Sequence, residues 1–223
     1  MRILIFNEKH EVPNKFIEKI KSEMVAMVDY FNDYEEAEYC AGIRNYDYIF
    51  VHYEAKYRLK YLNFFKDARD KNKNAKIILF GEKVKEDHID FYKKFNLDEI
   101  INQELTEIDM YDILKQDNSE WIERGLIKIN VKEKKVWIKG EKEDTEITFK
   151  KKIDFYVFLY FVRHYKETIN VSNLLDATCE EPELTKDSII ESSISSLRKT
   201  FKELLHLNPI KAFKKVGYEF SIS

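Results

Sequence analysis

Short apolar runs alternate with longer amphipathic stretches through the first half of this 223-residue chain. The first run, Arg2–Phe6, is short and continuous, as expected of a buried strand, and Pro13 opens a helical pattern. The pattern predicts strands at 2–6, 25–28, 48–51, 76–80 and 99–101, and helices from 13 onward and at 34–43, 59–68, 88–95 and 107–115. Five strand–helix alternations predict an α/β fold: a doubly wound, five-stranded parallel sheet with helices on both faces.

A long amphipathic helix is predicted near the C-terminus, beginning near Leu184. Its apolar residues recur at helical spacing and form one stripe, which consists of Ile190, Ile194, Leu197, Phe201 and Leu204. The opposite face carries Ser188, Ser192, Ser195 and Lys199, flanked by Glu191, Ser196 and Lys202. So many serines are unusual in a helix, because their hydroxyls compete for backbone hydrogen bonds. Small hydroxyl side chains suit close approach to phosphates and base edges.

A basic-tipped hairpin is predicted after this helix. Asn208-Pro209 breaks the chain, and two short strands follow at 210–213 and 216–221. Lys214 and Lys215 lie between them, and Gly217 permits an unusual backbone angle. Helix, turn and basic hairpin together are typical of a winged helix, although a core helix with a solvated surface hairpin gives the same pattern.

The C-terminal residues resemble the signature of OmpR/PhoB-type response regulators. The matching positions are Ile194, Leu197, Arg198, Lys199, Ile210, Lys214, Val216, Gly217 and Tyr218. Three positions depart from the family pattern, since Ala212 replaces a Thr, Lys214 an Arg and Lys215 a Gly. The resemblance implies double-stranded DNA at promoters as a partner. It implies contacts from Lys186, Ser188, Ser192, Ser195, Ser196, Arg198, Lys199, Lys214 and Lys215.

The first half resembles the receiver domain of the same family, most closely at the stretch G-I-R-N-Y-D-Y-I-F-V that ends at Val51. Receiver chemistry needs an acceptor Asp, two acids for Mg²⁺, a Lys and a Thr or Ser. Matched by position, these groups are replaced by Asn7-Glu8, His52, Phe80 and Gln103-Glu104. The resemblance therefore implies a degenerate, phosphorylation-independent receiver that homodimerises through the surface at 88–115, with Phe80 filling the space of the switch residue.

The segment between the two resemblances predicts a short linker, a small sheet and two helices. The linker is placed at 119–125, strands at 126–131, 135–138 and 145–149, and helices at 153–164 and 173–178, the last capped by Ser172. An acidic loop, Cys179–Glu183, precedes the long helix. In the resembling family such a loop contacts RNA polymerase; a solvated connector is the equal alternative here.

Composition sets the outer limits of the interpretation. The length predicts two domains, and the resemblance implies a receiver-like domain at 1–118 and a winged helix-turn-helix domain at 119–223. Basic and acidic residues number 38 and 41, so any affinity for DNA must come from local basic patches. No apolar run is long enough to predict a membrane span or signal peptide, and Cys40 and Cys179 suit the reducing cytoplasm.

The sequence predicts neither an enzyme nor a cofactor. It has no glycine-rich phosphate loop and no nucleophile–base set. Glu8, His10 and His52 could meet near the ends of two strands, but their spacing is unlike that of recognisable metal sites, and no metal is predicted. A DNA-binding transcription regulator is the preferred function. A protein-interaction adaptor, or a redox-responsive regulator of transcription or replication using the cysteines, is the alternative.

Overall fold

The computed structural model describes residues 1–9, 12–57, 59–82, 84, 92, 94, 97–140 and 143–222, without the side chain of residue 117. These residues form two compact units. The first comprises Met1–Lys21 and Ala26–Asp117, and the second Ser22–Val25 and Asn118–Ser223. No helix in the described part of the chain is long and apolar enough to cross a membrane.

A five-stranded parallel sheet forms the centre of the first unit, in the order β2-β1-β3-β4-β5. The strands are β1 (Arg2–Phe6), β2 (Met27–Phe31), β3 (Tyr48–His52), β4 (Lys76–Phe80) and β5 (Glu99–Ile101). The helices are α1 (Asn14–Glu23), α2 (Tyr34–Ile43), α3 (Tyr61–Lys71) and α4 (Glu107–Asp117), with a 3-10 turn at Ala55–Tyr57. The predicted doubly wound α/β sheet is confirmed.

Two boundaries in this unit bear on the predictions. The second strand begins at Met27 rather than at 25, because Val25 has φ of 52°, a left-handed angle that no strand accommodates. The helix predicted at 88–95 lies almost entirely outside the described residues. The central strands β1 and β3 are buried along their whole length, so their carboxyl ends form a fixed edge of the sheet.

The second unit begins with a four-stranded antiparallel sheet, in the order β6-β7-β8-β9. Its strands are β6 (Trp121–Arg124), β7 (Ile127–Asn130), β8 (Lys135–Ile138) and β9 (Thr145–Ile147). The linker predicted at 119–125 is therefore wrong over most of its length: Trp121 pairs with Asn130 and Arg124 with Ile127. Only Ile122 of this strand packs on the core, which leaves little apolar signal in the sequence.

A helical subdomain follows the sheet and closes on a three-stranded sheet, in the order β10-β12-β11. It contains α5 (Lys152–Arg163), β10 (Thr168–Ile169), α6 (Val171–Thr178), a 3-10 turn at Pro182–Leu184, α7 (Ser188–Leu205), β11 (Ile210–Phe213) and β12 (Gly217–Phe220). This order is that of a winged helix-turn-helix domain. The cap predicted at Ser172 is wrong, because the Asn170 side chain accepts the N–H of Asn173 at 2.8 Å.

Helix α7 packs its apolar stripe against α5. Phe158 and Phe201 meet with ring centroids 5.4 Å apart, and Phe220 of β12 joins them. Leu204, predicted to belong to the stripe, is 41% exposed, because the last turn of the helix extends past the core. Helix α7 is thus held between α5 and the hairpin, with one face left open.

Candidate nucleic-acid interface and degenerate phosphorylation pocket

The open face of α7 carries most of the serines that the sequence assigned to DNA. Ser188, Ser192, Ser195 and Lys199 are all exposed. They are four, three and four residues apart, so they follow one line along the helix. The opposite side buries Ile190, Ile194, Leu197 and Phe201. This line has the small polar side chains and the single cation that close approach to a nucleic-acid groove requires.

Two other serines of α7 face inward, toward a buried carboxylate. Asp154 on α5 is 1% exposed, and its two oxygens accept hydrogen bonds of 2.8 Å from Ser193 Oγ and Ser196 Oγ. Ser196, assigned to DNA from the sequence, therefore has its hydroxyl directed into the protein. The hydroxyls balance the cost of burying the charge and set the rotation of α7 about its axis.

Arg198 joins the helix to the wing. Its Nε and one Nη donate to the carbonyl oxygen of Ile210 at 3.1 and 2.9 Å, and its guanidinium lies 5.7 Å from the ring centroid of Tyr218. The sequence assigned this residue to phosphate contact, whereas the structure gives it two internal hydrogen bonds. The planar fork of donors suits this double contact, which an ammonium group cannot reproduce.

The tip of the hairpin presents both predicted lysines to solvent. Lys214 and Lys215 are exposed, and Lys215 adopts a left-handed φ of 62°. Gly217 follows with φ of 152°, and a Cβ there would lie 2.0 Å from the carbonyl oxygen of Ile169. The hairpin can therefore pass close to β10 only because residue 217 is a glycine. The close passage fixes the backbone of the hairpin from which the two lysine side chains extend.

The segment before α7 contains Lys186, the remaining residue predicted to contact DNA, and the acidic loop. Lys186 is exposed, and its carbonyl oxygen accepts the N–H of Ile189 at 3.0 Å, so it lies at the entry to the helix. Glu180, Glu181 and Glu183 are exposed beside it, and the neighbouring Leu184 is 78% exposed. This loop is acidic and apolar, unlike the basic wing.

In the first unit, His52, which the sequence resemblance matched to the acceptor Asp, lies at the end of β3. Its side chain is 1% exposed, and Nε2 lies 2.9 Å from Glu104 Oε2. Nδ1 lies 3.1 Å from Glu54 Oε1, within ion-pair distance but not aligned for a hydrogen bond. Lys9 Nζ lies 2.6 Å from the same Glu54 oxygen. An imidazole ring therefore lies between two carboxylates at this strand end.

The pKa of Glu104 reflects this pairing. Partial burial acts to raise the pKa of the carboxyl, but the hydrogen bond and charge of His52, with further help from Lys9, lower it below its usual value of 4.5. Glu104 therefore carries its negative charge at neutral pH.

The other predicted pocket residues differ in burial and in their contacts. Phe80 is fully buried, pairs with His52 across the strands, and meets its ring edge-on at 5.3 Å. Asn7 is 5% exposed and its Oδ1 accepts the N–H of Lys9 at 3.1 Å. Glu8 Oε1 lies 2.6 Å from Lys56 Nζ, and the Gln103 side chain is exposed.

The three side chains considered from the sequence as metal ligands, Glu8, His10 and His52, are not brought together in the described part of the chain. Glu8 pairs with Lys56 and His52 with Glu104, while His10 lies outside the described residues. No group of three His, Cys, Asp or Glu side chains placed to hold a metal ion occurs among the residues that the structure describes.

Comparisons with known proteins give structural matches only. No protein-family model and no curated protein matches the chain. Among solved structures, the chain is similar to response regulator DrrB of Thermotoga maritima, an OmpR/PhoB homologue, at 15% identity and a TM-score of 0.40, over 99% of this chain and 98% of that one. A second similar structure is a streptococcal redox sensor, described as evolved from two-component response regulators. It matches at 16% identity and a TM-score of 0.37, over 100% of this chain and 99% of that one.

A third similar structure is the DNA-binding domain of RstA from Klebsiella pneumoniae, bound to the RstA box. It matches at 22% identity and a TM-score of 0.36, over 46% of this chain and 98% of that one. The matched structures include OmpR/PhoB-type regulators, as the sequence resemblance predicts. Likeness this remote assigns no function, and the fold assignment rests on the strand orders and the order of elements described above.

Sequence reasoning missed the partners that hold these sites in place. Asp154 was not singled out, although an acid within an otherwise apolar helix is a signal that it needs a buried partner. Glu54 lies beside His52 and pairs with Lys9. Both residues belong to loops that the sheet brings close to the end of β3. Residue spacing alone could not show that Ser193 and Ser196 turn toward α5 while Ser192 and Ser195 turn toward solvent.

Proposed function

We propose that this chain is a sequence-specific DNA-binding transcription regulator that acts without aspartyl phosphorylation and without catalysing a reaction. The observation that carries the proposal is the solvent-facing line of Ser188, Ser192, Ser195 and Lys199 on α7 beside the exposed lysines of the wing. In this proposal α7 enters a major groove, and Lys214 and Lys215 contact the backbone or the minor groove. We propose the cytoplasm as the place where it acts.

The division of roles among the residues follows from their contacts. Lys186, Lys199, Lys214 and Lys215 are exposed ammonium groups and serve as phosphate contacts. Ser188, Ser192 and Ser195 read base edges. Ser196 and Arg198 are proposed to position α7 and the wing, because their polar groups already bond Asp154 and Ile210.

Selection of bound sequences from random double-stranded DNA tests the proposal with the full chain. We expect one enriched motif, and we expect the double variant S192A/S195A to change the preferred motif. K214A/K215A should instead weaken binding to all sequences and lower the salt slope by about one unit per lost contact. The double variant K132A/K150A removes the same charge from exposed positions elsewhere and should leave the slope unchanged. Failure to enrich any motif would favour the protein-interaction adaptor instead.

Phosphorylation independence is proposed from the chemistry at the end of β3. The acceptor position holds an imidazole paired with Glu104, and Phe80 fills the space beside it. Incubation with a small phosphodonor and Mg²⁺ should therefore add no mass to the protein. A stoichiometric gain of one phosphoryl group would refute this part of the proposal.

Homodimerisation through the receiver-like unit is the accompanying proposal. The surface expected at 88–115 falls partly outside the described residues; its described part includes α4, where Ile108 is 71% exposed. A chain without phosphoryl input that binds paired half-sites needs a dimer fixed by its sequence. Sedimentation should show dimers at micromolar concentration without donor, and Ile108→Lys should shift the population toward monomer.

The exposed acidic loop is proposed as a contact for RNA polymerase. Glu181 and Glu183 are exposed and lie about 30 residues before the wing lysines, so their charge can be reversed without changing the wing. E181K/E183K should retain DNA binding and lose transcriptional activation in a purified system. The redox alternative gains no support from Cys40, which is buried and in a different unit from Cys179.

A further inference from the structure

A cavity of about 510 Å³ opens next to the paired His52 and Glu104 in the first unit. It lies between the loop that follows β1, the loop that follows β5, and the first turn of α4. None of the predicted DNA-binding residues borders it. Its size falls within the range of about 300–1,000 Å³ that is usual for small-molecule sites.

One wall of this cavity is apolar and already ordered. Val12, Leu105 and Met110 line it and are 7%, 7% and 2% exposed. Ile108 stands at the rim and is 71% exposed. Preformed apolar walls hold the body of a ligand without the cost of ordering side chains on binding.

The charged groups of the described lining are both anionic. Glu104 and Glu107 border the cavity beside the neutral polar side chains of Asn7 and Thr106, and no lysine, arginine or histidine is among the described residues that line it. The Glu104 side chain is 37% exposed, and its two oxygens lie 3.1 and 2.9 Å from His52 Nε2, so the exposed part of the carboxylate can accept a further donor. Glu107 has no ion-pair or hydrogen-bond partner within the described ranges. Although the charge of Lys9 also acts on Glu104, two carboxylates with no cation among the described lining residues favour a positively charged ligand.

We propose that this cavity binds a small amine, with its ammonium group on Glu104 and its apolar body against Val12, Leu105 and Met110. Glu107 at the entrance adds a second, weaker attraction. Since Glu104 also bonds His52, an ammonium group at this carboxylate is sensed directly by the imidazole ring. The proposal does not depend on DNA binding, because every residue it uses lies in the first unit.

Three compounds that share one apolar body and differ in charge test this site. They are 3-phenylpropylamine, 3-phenylpropan-1-ol and 3-phenylpropanoate, each titrated into the isotope-labelled full chain and followed by NMR. The amine should shift the amide signals of Asn7 and residues 104–110 and the ring signals of His52. The alcohol should bind about tenfold more weakly, since a charge-assisted hydrogen bond contributes about 1.5–3 kcal/mol. The carboxylate should not bind.

Variants locate the interaction. Glu104→Gln should weaken amine binding about tenfold and bring it level with the alcohol, and Glu107→Gln should weaken it less. Glu99→Gln, which removes an equal charge from exposed β5, is the matched control and should change nothing. The proposal is overturned if no compound shifts the signals of residues 104–110, if the alcohol or carboxylate binds as tightly as the amine, or if Glu99→Gln weakens binding as much as Glu104→Gln.

Discussion

At the scale of single residues, one buried carboxylate separates the serines of α7 into two groups. Asp154→Ala should lower the free energy of unfolding of the second unit by about 2–4 kcal/mol, because two hydroxyls lose a charged acceptor and a buried space opens. Both tryptophans of the chain, Trp121 and Trp137, lie in this unit, so tryptophan fluorescence in urea reports on it.

Asp154→Asn is the matched control for that change. It keeps the volume and one good acceptor, so it should cost less than the alanine variant. A loss below about 0.5 kcal/mol for Asp154→Ala would contradict the structural role, since surface substitutions fall in that range.

A second prediction at this scale concerns pH and Glu104. Its pKa in the folded state is lowered below 4.5, so its pairing with His52 stabilises the first unit above pH 4.5 and is lost as the pH falls through the lowered value. The wild type should be more stable than Glu104→Gln at pH 7, and the difference should vanish in acid. Amide hydrogen exchange in β3 and β5 measures it. A difference that grows as the pH falls below 4.5 would reverse the assigned sign.

At the scale of elements, Arg198 links α7 to the wing through its two hydrogen bonds to Ile210. A substitution by lysine distinguishes this structural role from an electrostatic one. Arg198→Lys keeps the charge but cannot donate twice to the Ile210 carbonyl. We expect stability to fall by about 1–2 kcal/mol and DNA affinity to fall with an unchanged salt slope. Unchanged stability of Arg198→Lys, together with a salt slope lower by about one in Arg198→Ala, would show a phosphate contact instead.

The wing itself depends on a glycine at its base. Gly217→Ala should destabilise the second unit by more than about 2 kcal/mol, because its Cβ would meet the carbonyl oxygen of Ile169 and its φ is 152°. Lys215→Gly, two residues away, relieves the strain of a residue with a Cβ at a left-handed φ, so it should be neutral or stabilising. If the two variants shift the urea midpoint equally, backbone geometry is not what limits this hairpin.

At the scale of the whole molecule, the second unit has a core of its own. Phe155, Phe158, Leu159, Ile194, Leu197 and Phe201 are all buried within one cluster. A fragment from residue 119 onward lacks Ser22–Val25, of which Val25 belongs to this cluster, but it keeps the six residues above and should still fold alone. It should bind DNA more weakly than the full chain, because a fragment that does not dimerise loses the gain from two linked sites. Bandshift titrations compare them, and equal affinities would remove the case for dimeric binding.

The sequence by itself determined the elements whose residue periodicity is strong. Strands Arg2–Phe6, Lys76–Phe80 and Glu99–Ile101 and helix Tyr34–Ile43 have the bounds that were predicted, because continuous or helically spaced apolar residues carry that information locally. The α/β class and the helix followed by a hairpin come from the same local signals. Strand β6 escaped prediction because one half-buried isoleucine is too little periodicity.

Only the tertiary structure decided which polar groups meet. No sequence rule pairs His52 with Glu104, since 52 residues separate them and only the parallel sheet brings their strand ends together. Likewise Ser193 and Ser196 bond Asp154, about 40 residues earlier, whereas Ser192 and Ser195 remain in solvent. A side-chain pair depends on helix rotation and loop approach, both of which are set by packing across the whole unit, and no local pattern of residues contains them.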